Sequence, residues 1–291
     1  MAVKKEELIT EVLKMIAPGT PIRDGLENIL KAKTGALIVT GETKEVLELV
    51  DGGFKLDIDY TSSRLYELAK MDGAIVLSND FKKILYANAQ LIPSSNVTTT
   101  ETGTRHRTAE RMAKQTNSLV ISISQRRSII TIFKGSQRYV LEDTSKVISK
   151  ANQALQTVEK YKKVFDDKLG LLNEYEFNDI VTLENVINSI QRAEMVMKVV
   201  EEVQRAIYEL GVEGRLLEMQ LEELIGDLEK EELYIIKDYI APGKKRTAER
   251  ILEEIRNLDR DDLLIAEKIA KSLGYGAFDN YDEVGVYTRG Y

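Results

Sequence analysis

The sequence predicts an α/β domain with a mixed central sheet flanked by helices, followed by an all-α helical bundle or spine. Three observations carry this reading. Two apolar runs without alternation, Gly35–Thr40 and Gly73–Ser78, read as strands buried on both faces, with helical segments between them. Two more apolar segments, Ser118–Ser124 and Ser128–Phe133, flank a short polar turn, Gln125-Arg126-Arg127. From Asp143 onward prolines vanish until Pro242, and apolar residues recur at steps of three and four. The expected boundaries are 1–142 for the sheet domain, 143–240 for the spine, and 241–291 for a linker and small helical segment.

The elements follow in order. Lys4–Ile16 reads as a helix, with Leu8, Val12 and Ile16 on one face and Pro18-Gly19 as its stop. Ile22–Ala32 is a second helix, ending near Gly35. After the first buried strand come a helix over Lys44–Val50, the pair Gly52-Gly53, and a helix over Ser62–Met71. The second buried strand is followed by Lys82–Ala87, a loop rich in Pro, Ser and Thr (Pro93–Gly103), and a helix near Thr108–Gln115. Gln137–Leu141 reads as an edge strand after Gly135. In the spine, Val147, Ala151, Leu155, Val158, Tyr161 and Phe165 share one helix face. A helix over Leu183–Leu210 starts at a Thr182 cap and breaks at Gly211 and Gly214. A third covers Arg215–Ile240. Ala241-Pro242-Gly243 is a linker, Thr247–Asn257 a helix, and Gly274–Tyr291 a tail without an evident core.

Composition narrows the function classes. The chain has no cysteine, which excludes disulfides, thiolate catalysis and Cys-ligated zinc. No apolar run approaches the ~20 residues that span a bilayer. The N-terminus carries acids where a secretory signal would be basic, so a soluble, cytoplasmic protein without membrane attachment is expected. The net charge of -7 hides a division. Residues 1–140 hold 20 basic and 16 acidic side chains, a net of +4, and the remainder 21 and 32, a net of -11. Within Phe81–Val140 there are 10 basic and 2 acidic residues. One basic segment in an acidic protein implies a localised anionic ligand rather than broad adhesion to nucleic acid.

That segment contains the only histidine, His106, between Arg105 and Arg107. Arginine forks match phosphate oxygens in pairs. Flanking guanidiniums depress the imidazole's proton affinity, which leaves it neutral and able to ligate a phosphate-bound metal. Thr104–Thr108 would then present free N–H groups, two hydroxyls and two guanidiniums to a phosphate. Thr108 also reads as an ordinary N-cap, and the charged run as a solvated helix start. Asp72 precedes a buried strand, where its carboxylate could hold a divalent cation or accept a hydroxyl proton. Gly73 would let a backbone N–H approach a bulky anion. Asp72 could equally be a turn residue closing the preceding helix. Ser124–Arg127 is either a basic contact to phosphate or a solvated hairpin. No phosphate-loop or dinucleotide fingerprint is present.

Three stretches together resemble the diadenylate cyclases: Met71-Asp72-Gly73-Ala74-Ile75-Val76-Leu77, Tyr86-Ala87-Asn88-Ala89-Gln90-Leu91, and Glu101 through Arg111. Lys150-Ala151-Asn152-Gln153-Ala154 and Glu209–Gly214 extend the likeness into the spine. The resemblance implies that residues 1–142 are a nucleotide-binding cyclase domain. It would condense two ATP into cyclic di-AMP, with Mg²⁺ or Mn²⁺, across a two-fold interface between copies. It implies Asp72 as activator of the 3′-hydroxyl and metal ligand, with Arg105 and Arg107 as the other catalytic residues. Gly73, Leu91, Thr104, Arg105, His106, Arg107, Thr108, Ser124 and Arg127 would contact ATP. Leu91 would read adenine through its main chain, and His106 would be the second metal ligand. It further implies a homo-oligomer, an octamer held by the spine, and a DNA-integrity checkpoint role. Branched DNA would bind through a C-terminal helix-hairpin-helix domain that has no counterpart before Arg289-Gly290-Tyr291. A non-catalytic sensor of ATP or cyclic di-AMP is the alternative, and a scaffold a third possibility.

Overall fold

Ala36–Thr40 is apolar or β-branched throughout and forms β1, buried along its whole length. This computed structural model describes residues 10–243 and 246–288. Residues 10–15 are helical, while the first part of the expected Lys4–Ile16 helix and the final Arg289-Gly290-Tyr291 lie outside the described residues. Two units divide the chain. The first runs to Val147 and includes Tyr208–Gly214, and the second takes Ile148–Ile207 and everything from Arg215.

In the first unit α1 spans Pro21–Lys31, with Pro at its first turn and Thr20 as N-cap, whose hydroxyl accepts the Arg23 N–H at 3.3 Å. A short helix α2 is Lys44–Leu47, shorter than the sequence suggests. Val50–Asp51 (β2) and Phe54–Asp59 (β3) surround Gly52-Gly53, both at positive φ. Val50 was expected to end a helix, and residues 54–61 were assigned to no element. The signal for β3 is the alternation of Phe54, Leu56 and Ile58 with charged residues, the period of a strand with one face in solvent. Ser62–Leu68 is α3, capped by Thr61. Ala74–Leu77 is β4 and Lys83–Leu91 is β5, longer than the expected 82–87. Thr104–Thr116 is α4, Leu119–Ser124 β6, Ile129–Lys134 β7 and Gln137–Leu141 β8.

These strands form one mixed sheet in the order β2-β5-β4-β1-β6-β7-β8, with β3 also pairing β5. β1 and β4 are parallel, and the other pairs are antiparallel. One face packs Ile38, Ile75, Leu77, Ile121 and Ile132 against Leu26 and Ile29 of α1 and Leu65 of α3. The other packs Leu37, Val39, Val76, Val120 and Phe133 against Ala109, Met112 and Ala113 of α4. Burial on both faces explains why β1 and β4 show no alternation in sequence.

The helical unit is built on Thr144–Phe177 (α5) and Leu183–Leu210 (α6), which begin or end in the first unit. α5 buries Ala151, Leu155, Val158 and Phe165 at helical spacing, as expected, with Tyr161 half-buried. Arg215–Ile225 (α7) and Leu228–Tyr239 (α8) replace the single expected helix 215–240. The break is Gly226, at φ 45°, a left-handed position that glycine supplies without a Cβ penalty. Ala248–Arg256 (α9), Arg260–Leu263 (α10) and Ala266–Leu273 (α11) complete it. Glu194 and Glu232 are buried and share Arg256, with Arg256 Nε 3.3 Å from Glu194 Oε1. Burial pushes both carboxyls above the usual range, and Glu194 adds to the shift of Glu232 by like charge.

Candidate active site

The sheet gathers Asp72, Leu91, the first turn of the Arg105–Arg107 helix and the Ser124–Arg127 turn at one end. Because β1 and β4 run parallel, Gly35 and Gly73 enter the sheet on the same side. β6 is antiparallel to β1, with Ala36 opposite Ile123, so Ser124 leaves on that side too. β5 is antiparallel to β4, with Ala74 opposite Ala89, so Leu91 arrives there as well. The first turn of α4 joins them: the Arg105 guanidinium lies against the backbone of Gly35, beside the Ile123 carbonyl. A Cβ on Gly35 would collide with that guanidinium, a constraint the sequence reading did not find.

Helix α4 starts at Thr104, with Gly103 as N-cap. This corrects the reading of Thr108 as a cap and of Thr104–Arg107 as the loop before the helix. Arg107 N–H donates to Gly103 O at 2.8 Å, the first helical bond. The three preceding amides precede that bond, and Gly103 offers no side-chain cap. An uncapped helix N-terminus that also carries two arginines is a suitable seat for phosphate. Thr104 and Arg107 are exposed, Arg105 and Thr108 half-buried.

The next turns of α4 hold the loop that leads into it. Glu110, buried, accepts the Thr99 hydroxyl and the Thr100 N–H, and pairs with Lys114 at 2.7 Å. Those bonds outweigh burial and keep its carboxyl below the usual range. Arg111 Nε donates to Val97 O at 2.9 Å, Lys114 Nζ to Thr98 O at 2.9 Å, and Ser94 N–H to Gln115 Oε1 at 2.8 Å. Glu101 is fixed by Arg138 of β8.

His106 is 4% exposed. Its Nδ1 is 3.2 Å from the hydroxyl of Ser122 on β6, and its ring meets Phe133 edge-on at 6.3 Å. Burial is the largest cause holding its proton affinity below the ordinary value; Glu101 works against this, and Arg127, Arg138 and Arg105 add to it. The flanking arginines were expected to lower its proton affinity; burial is instead the main cause, Arg105 contributes less, and the ring packs the first turn of α4 onto the sheet. Nε2 is buried without a hydrogen-bond partner, as is the hydroxyl of Thr131, which pairs with Ser122 across β6 and β7. Ser122, a polar residue inside the apolar run Leu119–Ile123, is the sequence signal for this contact.

Asp72 is exposed and makes no hydrogen bond or ion pair among the described residues. Gly73 differs from expectation. Its N–H donates to Asn88 Oδ1 at 3.1 Å, so that amide is taken within the protein. A Cβ at Gly73 would collide with the backbone of Asn88 and come to 2.7 Å from Ala89 N, so glycine is required by the sheet itself. Leu91 pairs with Val50, and Ile92 N–H donates to Leu49 O at 2.9 Å. That pattern makes Leu91 and Val50 a non-hydrogen-bonded pair, with the Leu91 amide and carbonyl directed away from β2. The side chain is buried in the core under α4. Ser124 Oγ accepts the Arg127 N–H at 3.3 Å, which shapes the turn and leaves the Arg127 side chain exposed.

Among the described residues no group of three or more His, Asp or Glu is arranged to hold a metal. A Mg²⁺ or Mn²⁺ ion carried on nucleotide phosphates needs only one or two protein ligands. The free carboxylate of Asp72 fits that role. His106 fits it poorly, because its imidazole is enclosed between α4 and the sheet.

Residues 23–138 match the family described as DisA bacterial checkpoint controller nucleotide-binding, and residues 141–281 match its linker region. The DNA integrity scanning protein DisA of Carboxydothermus hydrogenoformans is 54% identical over 287 residues, covering 99% of this chain and 82% of that protein. The chain belongs to the DisA family. The DisA proteins of Clostridium botulinum (strain Loch Maree) and Acetivibrio thermocellus are 52% and 53% identical, and the chain covers 82% and 80% of their lengths. As a DisA-family member the chain is a diadenylate cyclase with a nucleotide substrate, and its nucleotide-binding region falls within the sheet unit. No helix among the described residues is long and apolar enough to cross a membrane.

Proposed function

We propose that the chain joins two ATP molecules into cyclic di-AMP and two pyrophosphates. Each 3′-hydroxyl gives up its proton and attacks the α-phosphorus of the other nucleotide, and each new P–O bond replaces the bond to pyrophosphate. The observation that carries this reading is the convergence of Asp72, Leu91, the first turn of α4 and the Ser124–Arg127 turn at one end of the sheet. Asp72 lies ahead of β4 without a partner and is the group available to take up the hydroxyl proton. Arg105, Arg107, Thr104 and Thr108, with the open N–H groups of α4, bind the phosphates and offset the charge that develops during transfer. Leu91 offers its main chain to adenine. Ser124 and Arg127 reach phosphate from the partner domain's side. A Mg²⁺ or Mn²⁺ ion held by Asp72 and the phosphates would supply charge neutralisation when bound.

The product is two-fold symmetric and each domain presents one nucleotide, so two domains face each other during the reaction. Assembly of the helical unit into an octamer would hold them together. The relatives' names suggest a role in scanning DNA integrity.

The test is incubation with ATP and Mg²⁺ or Mn²⁺, with products identified by mass. Cyclic di-AMP is expected from the native chain. Asp72→Asn should still bind ATP and retain only a small residual rate of cyclic di-AMP synthesis. Bound but unchanged ATP with the native chain would instead identify a nucleotide sensor.

A further inference from the structure

Asn88 stands at φ 52° in the middle of β5, a left-handed conformation rare for residues other than glycine and least costly for asparagine and aspartate. The β4–β5 register slips between Ala74 and Val76, opposite this residue. The bulge presses the Asn88 backbone against Gly73, where only a glycine fits. The Asn88 side chain then turns back and accepts the Gly73 N–H at 3.1 Å. Both contacts come from Asn88: its backbone crowds the Gly73 Cα and its side chain holds the Gly73 N–H, the amide of the Asp72–Gly73 peptide unit. That unit is planar and begins at the Cα of Asp72. Asp72 has no contact of its own that would set its direction.

We propose that Asn88 is the positioning residue for Asp72: it holds the Asp72–Gly73 peptide so that the free carboxylate faces the reacting hydroxyl. The inference rests on the reading of Asp72 as hydroxyl activator. A bulge exists here because the strand must yield one residue that can occupy the left-handed region and also carry a short acceptor. Glycine would meet the first need and fail the second; aspartate meets both.

The experiment compares Asn88→Gly, Asn88→Asp and Asn88→Ala in the full chain, with ATP binding measured apart from turnover. Asn88→Gly keeps the backbone and removes the acceptor. It should lower kcat on the order of 10- to 100-fold, the scale of a misplaced reacting group, with ATP affinity retained. Asn88→Asp restores the acceptor and should recover kcat at saturating ATP relative to Asn88→Ala. In an Asp72→Asn background, Asn88→Gly should leave the residual rate unchanged within about twofold, because the group it positions is already gone. Native kcat in Asn88→Gly, or an independent loss on top of Asp72→Asn, would overturn the proposal. The two readings separate cleanly. Full turnover in Asp72→Asn alone removes the role of Asp72, whereas a nearly inactive Asp72→Asn with a fully active Asn88→Gly removes only the role of Asn88.

Discussion

An alanine at position 35 would drive its methyl into the Arg105 guanidinium. The backbone at Gly35 is not left-handed, so alanine is tolerated conformationally and the flexible arginine tip is what must move. Gly35→Ala is therefore expected to fold normally. It should lose on the order of 10- to 100-fold in kcat/KM for ATP, less than or comparable to removing Arg105, because the proposed phosphate donor Arg105 is displaced. Thermal unfolding and steady-state kinetics together check this. Position 35 also shows what a sequence conceals. A glycine before a strand reads as punctuation, and nothing near it in the chain announces an arginine 70 residues later. Arg105, His106 and Arg107 could be read as a candidate anion site from the sequence because charge chemistry is local. The inward turn of His106 was not, because it depends on Ser122 and Phe133 from strands that fold beneath it.

At the scale of elements, β1, β4, β6 and β7 were readable from largely apolar runs, the helix Leu183–Leu210 from its helical period and glycine stop, and β8 only as a short edge segment after Gly135. β3 was not, although its alternation was present; six residues with three charges beside Gly52-Gly53 look like loop until β5 is there to pair with them. The helix 215–240 was read as continuous because a single glycine does not erase a helical period. On α6 and α8 the buried acids Glu194 and Glu232, both next to Arg256 of α9, make a testable pair. Glu232 is fully buried, and its oxygens lack hydrogen bonds in the described structure apart from its place near Glu194 and Arg256. A carboxyl whose proton affinity is raised by folding favours the folded state most at low pH, and that contribution is lost as pH rises past the unfolded value of about 4.3. Glu232→Gln removes the cost of charging a buried group. It is expected to stabilise the helical unit by about 1 kcal/mol near neutral pH, with the gain shrinking toward pH 4. Denaturant unfolding of native and variant chains across that range is the measurement. A gain that grows on acidification would contradict it.

For the whole molecule, the proposed reaction needs two complete domains for one product. Mixing native chain with an equal amount of Asp72→Asn, after subunits have exchanged, leaves about one quarter of random pairs with both activating carboxylates. Cyclic product per total protein should fall to about that fraction of the native rate, and linear half-reaction product should accumulate from mixed pairs. A fall to only one half would mean that each domain completes the reaction alone.

The first unit reclaims Tyr208–Gly214 after the chain has left it at Val147. Glu209 from that return accepts the Tyr139 hydroxyl at 2.7 Å and the Glu142 N–H at 3.4 Å, and Val212 N–H donates to Pro18 O at 3.3 Å. Residues 148–207 thus leave and re-enter the first unit at two anchor points, and they share their own unit with the chain from Arg215 onward. A gene fragment cut after the last strand would encode the sheet without its own closing segment. Grafting the cyclase elsewhere would require keeping Tyr208–Gly214 together with the segment that ends at Val147.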